Sequence, residues 1–159
     1  MAACESMLWT MSAETRLVVD VENLQVRPRG PAIAGIWFEK DNEAFPAAGW
    51  SDFVIVILSW LANALVTTIR GNGGRVRVRF MDGPYAVDVA TSAEMLRFTF
   101  VSLDKEIGGG EAEINPFVLT FTAQAGKILH ACRSQRWWSA DADRLDSLLG
   151  DLKRAVRTG

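Results

Sequence analysis

Few residues in this chain could do covalent or acid–base chemistry: one histidine, His130, one tyrosine, Tyr85, and two cysteines, Cys4 and Cys132. A cysteine–histidine pair makes a nucleophile only when the imidazole reaches the thiol. His130 and Cys132 lie two residues apart in a segment of helical spacing, so their side chains diverge by about 200°. The pattern reads as a buried cysteine beside a flanking histidine. No CxxC, HxH or HExxH spacing occurs, so neither a metal nor a cofactor is expected. Asp141, Asp143 and Asp146 could be proposed as paired carboxylates, but they fit the first turn and solvated face of a helix better. Gly71-Asn72-Gly73-Gly74 follows a helical pattern instead of preceding one. Neither it nor Gly108-Gly109-Gly110 matches a phosphate-cradling motif. No enzyme is expected.

Binding chemistry is better represented. Arg75, Arg77 and Arg79 alternate along one strand face, with Arg97 on a neighbouring strand, and such a face could track phosphates. No aromatic residue interleaves with them, and the formal net charge is −2, so nucleic acid is not the expected partner. Two segments are acidic: Glu39-Lys40-Asp41-Asn42-Glu43, and Asp104-Lys105-Glu106 continuing through Glu111-Ala112-Glu113. Residues 1–50 carry seven acids against four bases. Such runs are either solvated loops or a landing surface for a basic partner. Of the six tryptophans, Trp60 is assigned to the core. The adjacent Trp137 and Trp138 cannot easily both point inward. Either one is exposed at an interface, or the pair plugs the joint between two helices.

The elements that must position these residues follow from periodicity. Leu17, Val19 and Val21 alternate with Arg16, Val18, Asp20 and Glu22, as in a half-buried strand, and the apolar parity changes at Asn23, where a bulge or strand end is expected. After an Arg27–Pro31 turn a second strand runs from Ile33 to Glu39. Phe45-Pro46 then leads to a segment that is apolar almost all round: of the seventeen residues between Asp52 and Arg70, only Ser59, Asn63, Thr67 and Thr68 are polar. Ser51 is the expected N-cap, with Asp52 in the first turn. Asp82-Gly83 between alternating strands signals a hairpin in which Phe80 pairs with Tyr85, Val78 with Val87, Val76 with Val89 and Arg77 with Asp88. Because Pro84 cannot donate a hydrogen bond, a four-residue loop closed by Phe80 and Tyr85 competes with a two-residue one.

A turn at Thr91–Glu94 leads to a strand carrying Leu96, Phe98 and Phe100. The glycine run after it is expected as a mobile loop. Asn115-Pro116 opens a helix with a stripe of Phe117, Phe121, Ala125, Ile128 and Cys132. Ser139 or Asp141 caps a last helix buried through Ala142, Leu145, Leu148, Leu149, Leu152 and Val156. The whole reads as a single α+β domain over residues 1–159. A mostly antiparallel sheet of about five strands would pack on a central apolar helix, with the two C-terminal helices covering that helix's far side.

An all-round apolar helix belongs to a core or a membrane. The uninterrupted apolar run here, Phe53 to Leu58, is six residues, far short of the roughly 20 that a span requires. A core helix in a cytoplasmic protein with both thiols free is expected. The first residues, MAACESMLWTMSAE, lack the pattern of a signal peptide.

Phe45-Pro46…Trp50-Ser51-Asp52-Phe53, the run ending Leu58-Ser59-Trp60, and Phe80-Met81-Asp82-Gly83-Pro84-Tyr85 resemble small bacterial proteins of polymorphic-toxin loci, including immunity proteins of contact-dependent growth inhibition systems. The likeness covers roughly residues 36–90, with a weaker echo from Cys132 to Leu145. It implies a protein without chemistry of its own that binds a cognate toxin domain, often a basic nuclease, and blocks it. A monomer is expected. Charge complementarity places the toxin-facing surface at Glu39, Asp41, Glu43, Asp104, Glu106, Glu111 and Glu113, together with Trp50, Asp52, Trp137 or Trp138. The alternative is a dimeric chaperone or adaptor for a secreted effector.

Overall fold

The computed structural model describes residues 14–71 and 74–158. Cys4 and Trp9 lie outside the described residues. The fold is α+β, but the strands form two antiparallel sheets instead of one.

The first sheet is built on β2 (Ile33–Lys40). On one side it pairs with β1 (Arg16–Gln25), whose register slips between Asp20 and Gln25, at the expected bulge. On the other side it pairs with two short strands, β3 (Glu43–Phe45) and β4 (Ser51–Phe53). These lie end to end along the edge of β2, as one strand interrupted by the Pro46–Trp50 loop. The Ile36 amide donates to the Trp50 carbonyl at 2.8 Å, which holds that loop against β2.

The second sheet is a meander of β5 (Arg75–Arg79), β6 (Tyr85–Ser92), β7 (Met95–Ser102) and β8 (Lys105–Glu113), in that spatial order. Its first hairpin has the predicted register, Val76 opposite Val89, Arg77 opposite Asp88 and Val78 opposite Val87. The Phe80 amide closes the four-residue loop on the Tyr85 carbonyl at 3.1 Å. The supposed loop around Gly108–Gly110 is instead strand, fully paired with β7 apart from a bulge at Phe100/Val101.

Among the described residues there are three helices: α1 (Val54–Arg70), α2 (Ile114–Ser134) and α3 (Ala140–Thr158). Ser51 does not cap α1. The chain is still extended there, pairing with β2, and Phe53 stands at the cap position without a side-chain hydrogen bond. Ser139 does cap α3, accepting the Ala142 amide at 3.1 Å. The helix α2 begins at Ile114, one residue before the predicted Asn115-Pro116 start, and its buried residues are those of the predicted stripe with Val118 and Leu129.

The inner faces of the two sheets meet through aromatic rings: Phe38 lies 5.2 Å from Phe98, and Phe45 stacks on Phe100 at 4.5 Å. The helix α1 packs on β5, β6 and β2 and is covered by α3, whereas α2 seats on β1, β8 and α3. So α3 covers the far side of α1, and α2 closes a different part of the core. One narrow stripe of α1 stays open, comprising Val56, Trp60, Asn63, Thr67 and Arg70 at helical spacing. Trp60 lies on it, 40% exposed, and is therefore not a core residue as the sequence suggests. No helix among the described residues is long and apolar enough to cross a membrane.

Candidate functional site: a groove between two sheet edges

The residues with chemical potential do not assemble. Cys132 is fully buried and its thiol is pushed up to about 11 by that burial, while His130 sits on the exposed side of α2. Asp143 accepts the Trp138 indole N–H at 2.7 Å and Asp146 lies 3.7 Å from Arg133, so these acids serve the joint between helices. Among the described residues no group of three or more His, Cys, Asp and Glu side chains is placed to hold a metal ion.

The two acidic segments are brought together, though not as one acidic surface. The first is a hairpin tip: Glu39 and Lys40 end β2, Asp41-Asn42 turn, and Glu43 starts β3. Asp41 takes the left-handed conformation (φ 54°) that Asp tolerates better than most residues. The second is the last hairpin of the meander, and most of its acids are already paired across the sheet. Asp104 meets Arg77 and Arg79, Glu106 meets Arg75 at 3.4 Å, and Glu111 meets Arg97 at 3.0 Å.

At the centre of this lattice the buried Asp88 receives a two-pronged contact from Arg77, at 2.7 and 3.1 Å. The hydrogen bond to Asp88 holds the Arg77 guanidinium above its ordinary pKa. Arginines on β5 and β7 thus face acids on β6 and β8, and the outer face of this sheet is a charge-balanced layer. Glu39 is similarly engaged, by Arg16 and by the Trp37 indole at 3.1 Å, and its carboxyl is held below the usual carboxylate range, by the Trp37 bond first and by Arg16 second.

Three of the seven proposed acids remain without an ion pair among the described residues: Asp41, Glu43 and Glu113. Asp41 and Glu43 stand at the rim of a groove of about 510 Å³ between the β2–β3 hairpin and the outer edge of β8. Phe45 and Phe100 form its floor and Ile107, 58% exposed, stands on the opposite wall. Sequence reasoning missed Ile107, which interrupts the acidic segment and is the residue left unpaired at the β7–β8 bulge.

The proposed Asp52 and tryptophans divide between interior and surface. Asp52 is buried, 4% exposed, and accepts hydrogen bonds from the Trp50 indole, the Phe53 amide and the Met81 amide at 2.7–3.1 Å. It is therefore no contact surface for a partner. Half-buried Trp50 packs edge-on against Tyr85 and Phe80. Trp137 is buried and donates its indole N–H to the Gly30 carbonyl at 3.0 Å, which anchors the Arg27–Pro31 turn. Half-buried Trp138 carries the Arg133 guanidinium over its ring at 4.1 Å. The pair therefore plugs the α2–α3 joint, with Trp138 the outer of the two. The Phe45–Phe53 and Phe80–Tyr85 strings, distant in sequence, converge on one aromatic cluster around Asp52.

Comparison of the chain with protein-family models, with curated proteins and with solved structures gives no match.

Proposed function

We propose that this chain is a binding protein that neutralises a basic toxin domain, acting as an immunity protein of a polymorphic-toxin system. The supporting observation is the convergence of two carboxylates without an ion pair among the described residues, Asp41 and Glu43, on one open groove with an apolar floor and an exposed Ile107. Interfaces combine an apolar centre with a polar rim, and rim charges steer oppositely charged partners. Because Asp104, Glu106 and Glu111 are already neutralised by arginines, the reading narrows from two acidic segments to the Asp41–Glu43 tip.

The test is to capture the partner from cells expressing the tagged chain and ask whether one small toxic domain co-purifies. That domain is then expressed with and without this chain. Protection is expected, with 1:1 binding that weakens as salt rises. Asp41→Lys with Glu43→Lys should cut affinity by about tenfold or more, equivalent to at least 1.4 kcal/mol. Protection that survives this double reversal would dismiss the groove as the contact surface, and absence of any toxic partner would dismiss the function.

The alternative, a dimeric adaptor or chaperone, would use the open stripe of α1, where exposed Trp60 and half-buried Val56 lie among Asn63, Thr67 and Arg70. Light scattering separates the two, and a monomer at micromolar concentration is the outcome expected from the immunity reading.

A further inference from the structure

The groove has a second property: its walls are the edges of both sheets. The strand β3 is the last of one sheet at that end of β2, and β8 is the last of the other. Among the described residues, β8 meets only a single outer bridge, Glu14 to Glu111, with the Thr15 amide donating to the Glu111 carbonyl at 2.8 Å. Further back along β8 the Gly109 carbonyl also faces outward, since it accepts the Lys40 ammonium at 2.9 Å. In an antiparallel ladder the N–H and C=O of one residue point the same way, so the Gly109 amide faces the groove too.

Natural sheets guard such edges with charge, proline or a covering segment. Here the centre of the edge is three glycines and Ile107, guarded by the Lys40 ammonium at the Gly109 carbonyl, which an added strand would have to displace. Glycine lets a neighbouring backbone come close: at Gly110 a Cβ would stand 1.9 Å from the Thr15 hydroxyl oxygen, so the bridge to Glu14 requires its absence.

We propose that the partner binds by strand addition, an extended lysine- or arginine-bearing segment pairing with the outer edge of β8 over Ile107–Gly109. This deepens the toxin-binding reading and rests on it for the partner's identity. The backbone of the added strand would run roughly 4.8 Å from β8, with side chains of one face over Phe45 and Phe100. Its basic side chains would meet Asp41 and Glu43, the rim carboxylates without an ion pair among the described residues, and its backbone N–H would replace the Lys40 ammonium at the Gly109 carbonyl. Main-chain pairing supplies affinity in this mode, and alternate side chains supply selectivity.

The test uses the full-length chain, isotopically labelled, and a capped peptide of about ten alternating lysine and valine residues. Saturable binding is expected, with shifts at the Ile107, Gly108 and Gly109 amides and exchange of the Gly109 amide slowed about tenfold or more. A peptide N-methylated on alternate residues keeps its charge but loses its donors, and should not bind. A glutamate–valine peptide, or the Asp41→Lys/Glu43→Lys chain, should bind about tenfold more weakly. Equal binding by the N-methylated peptide, no saturable binding, or a Gly109 amide already protected before peptide is added would each overturn the proposal. The last would mean that the edge is already filled in the free chain. Because no toxin enters this assay, peptide pairing without cell protection would fault the proposed function alone. Protection without peptide pairing would fault strand addition alone.

Discussion

The Asp52 carboxylate accepts the backbone N–H of Met81 at 3.1 Å, so the residue ahead of α1 and the tip of the β5–β6 hairpin share one buried acceptor. The same carboxylate takes the Trp50 indole and the Phe53 amide. Trp50 in turn lies edge-on to Tyr85, 5.2 Å away. The two sheets are thereby fastened at one corner by a polar contact inside an aromatic cluster, near the groove floor formed by Phe45 and Phe100.

Replacing Asp52 with Ala should therefore cost stability and not only local order. Three donors would lose their acceptor in a site with little access to water, a loss of about 3 kcal/mol. Asp52→Asn keeps one acceptor oxygen and should cost less. Urea unfolding measures both, and a change below about 0.5 kcal/mol for the alanine variant would remove this residue from the fastening role.

Asp52 also shows where the sequence is legible and where it is not. A polar residue just ahead of an apolar run looks like a helix start, and only the pairing of Ser51–Phe53 with β2 reveals that the chain is still a strand. The apolar alternation of β1, β5 and β7 and the stripes of α2 and α3 could be read directly from their spacing, and β6, buried on both faces from Ala86 to Val89, is legible through its hairpin turn and its pairing with β5. In β8 there is little to read: Ala112 is its one buried residue, three glycines carry no side chain, and the strand exists through its backbone ladder to β7. The acids of the groove are visible in the sequence, but their neutralisation is not. Glu106 and Asp104 find Arg75, Arg77 and Arg79 only once four strands have set their register. Trp60 reads as core by its bulk, whereas the polar Asn63, Thr67 and Arg70 that share its stripe mark the open side of α1.

The charge lattice should be unequal in its parts. Arg77 touches both oxygens of a buried carboxylate, whereas Arg75 approaches Asp88 only to 3.6 Å and is 57% exposed. Removing Arg77 leaves Asp88 without its main partner, and removing Arg75 costs only a solvated ion pair. Arg77→Ala is expected to lower the urea midpoint clearly and Arg75→Ala hardly at all. Equal midpoints for the two variants would mean that the lattice acts as a diffuse field and not through this pair.

Cys132 should be chemically silent in the folded chain. Burial raises its pKa to about 11, and the sulfur has no exposed surface. The thiolate is the reactive form, so both its population and its access are suppressed. Alkylation followed by site-resolved mass spectrometry is expected to label Cys132 only after denaturation. Native labelling at the rate of a free thiol would show that the α2–α3 contact opens readily.

Glu39 provides the pH-dependent contribution that can be assigned by sign. Its carboxyl is depressed in the folded chain, by the Trp37 indole N–H first and by Arg16 second. A group with a folded pKa below its unfolded value favours folding while it is ionised in both states. That contribution is complete above the ordinary glutamate range and is lost as pH falls through the depressed folded value. Trp37→Phe removes the larger cause, the indole N–H bond. The Glu39 carboxyl should then titrate higher by carbon-detected NMR, and the stability difference between wild type and variant should shrink as pH falls through the carboxylate range. Arg16→Gln should raise the Glu39 titration by less. If the arginine change had the larger effect, the ion pair and not the indole would be what holds this carboxylate at the edge of the β2–β3 tip.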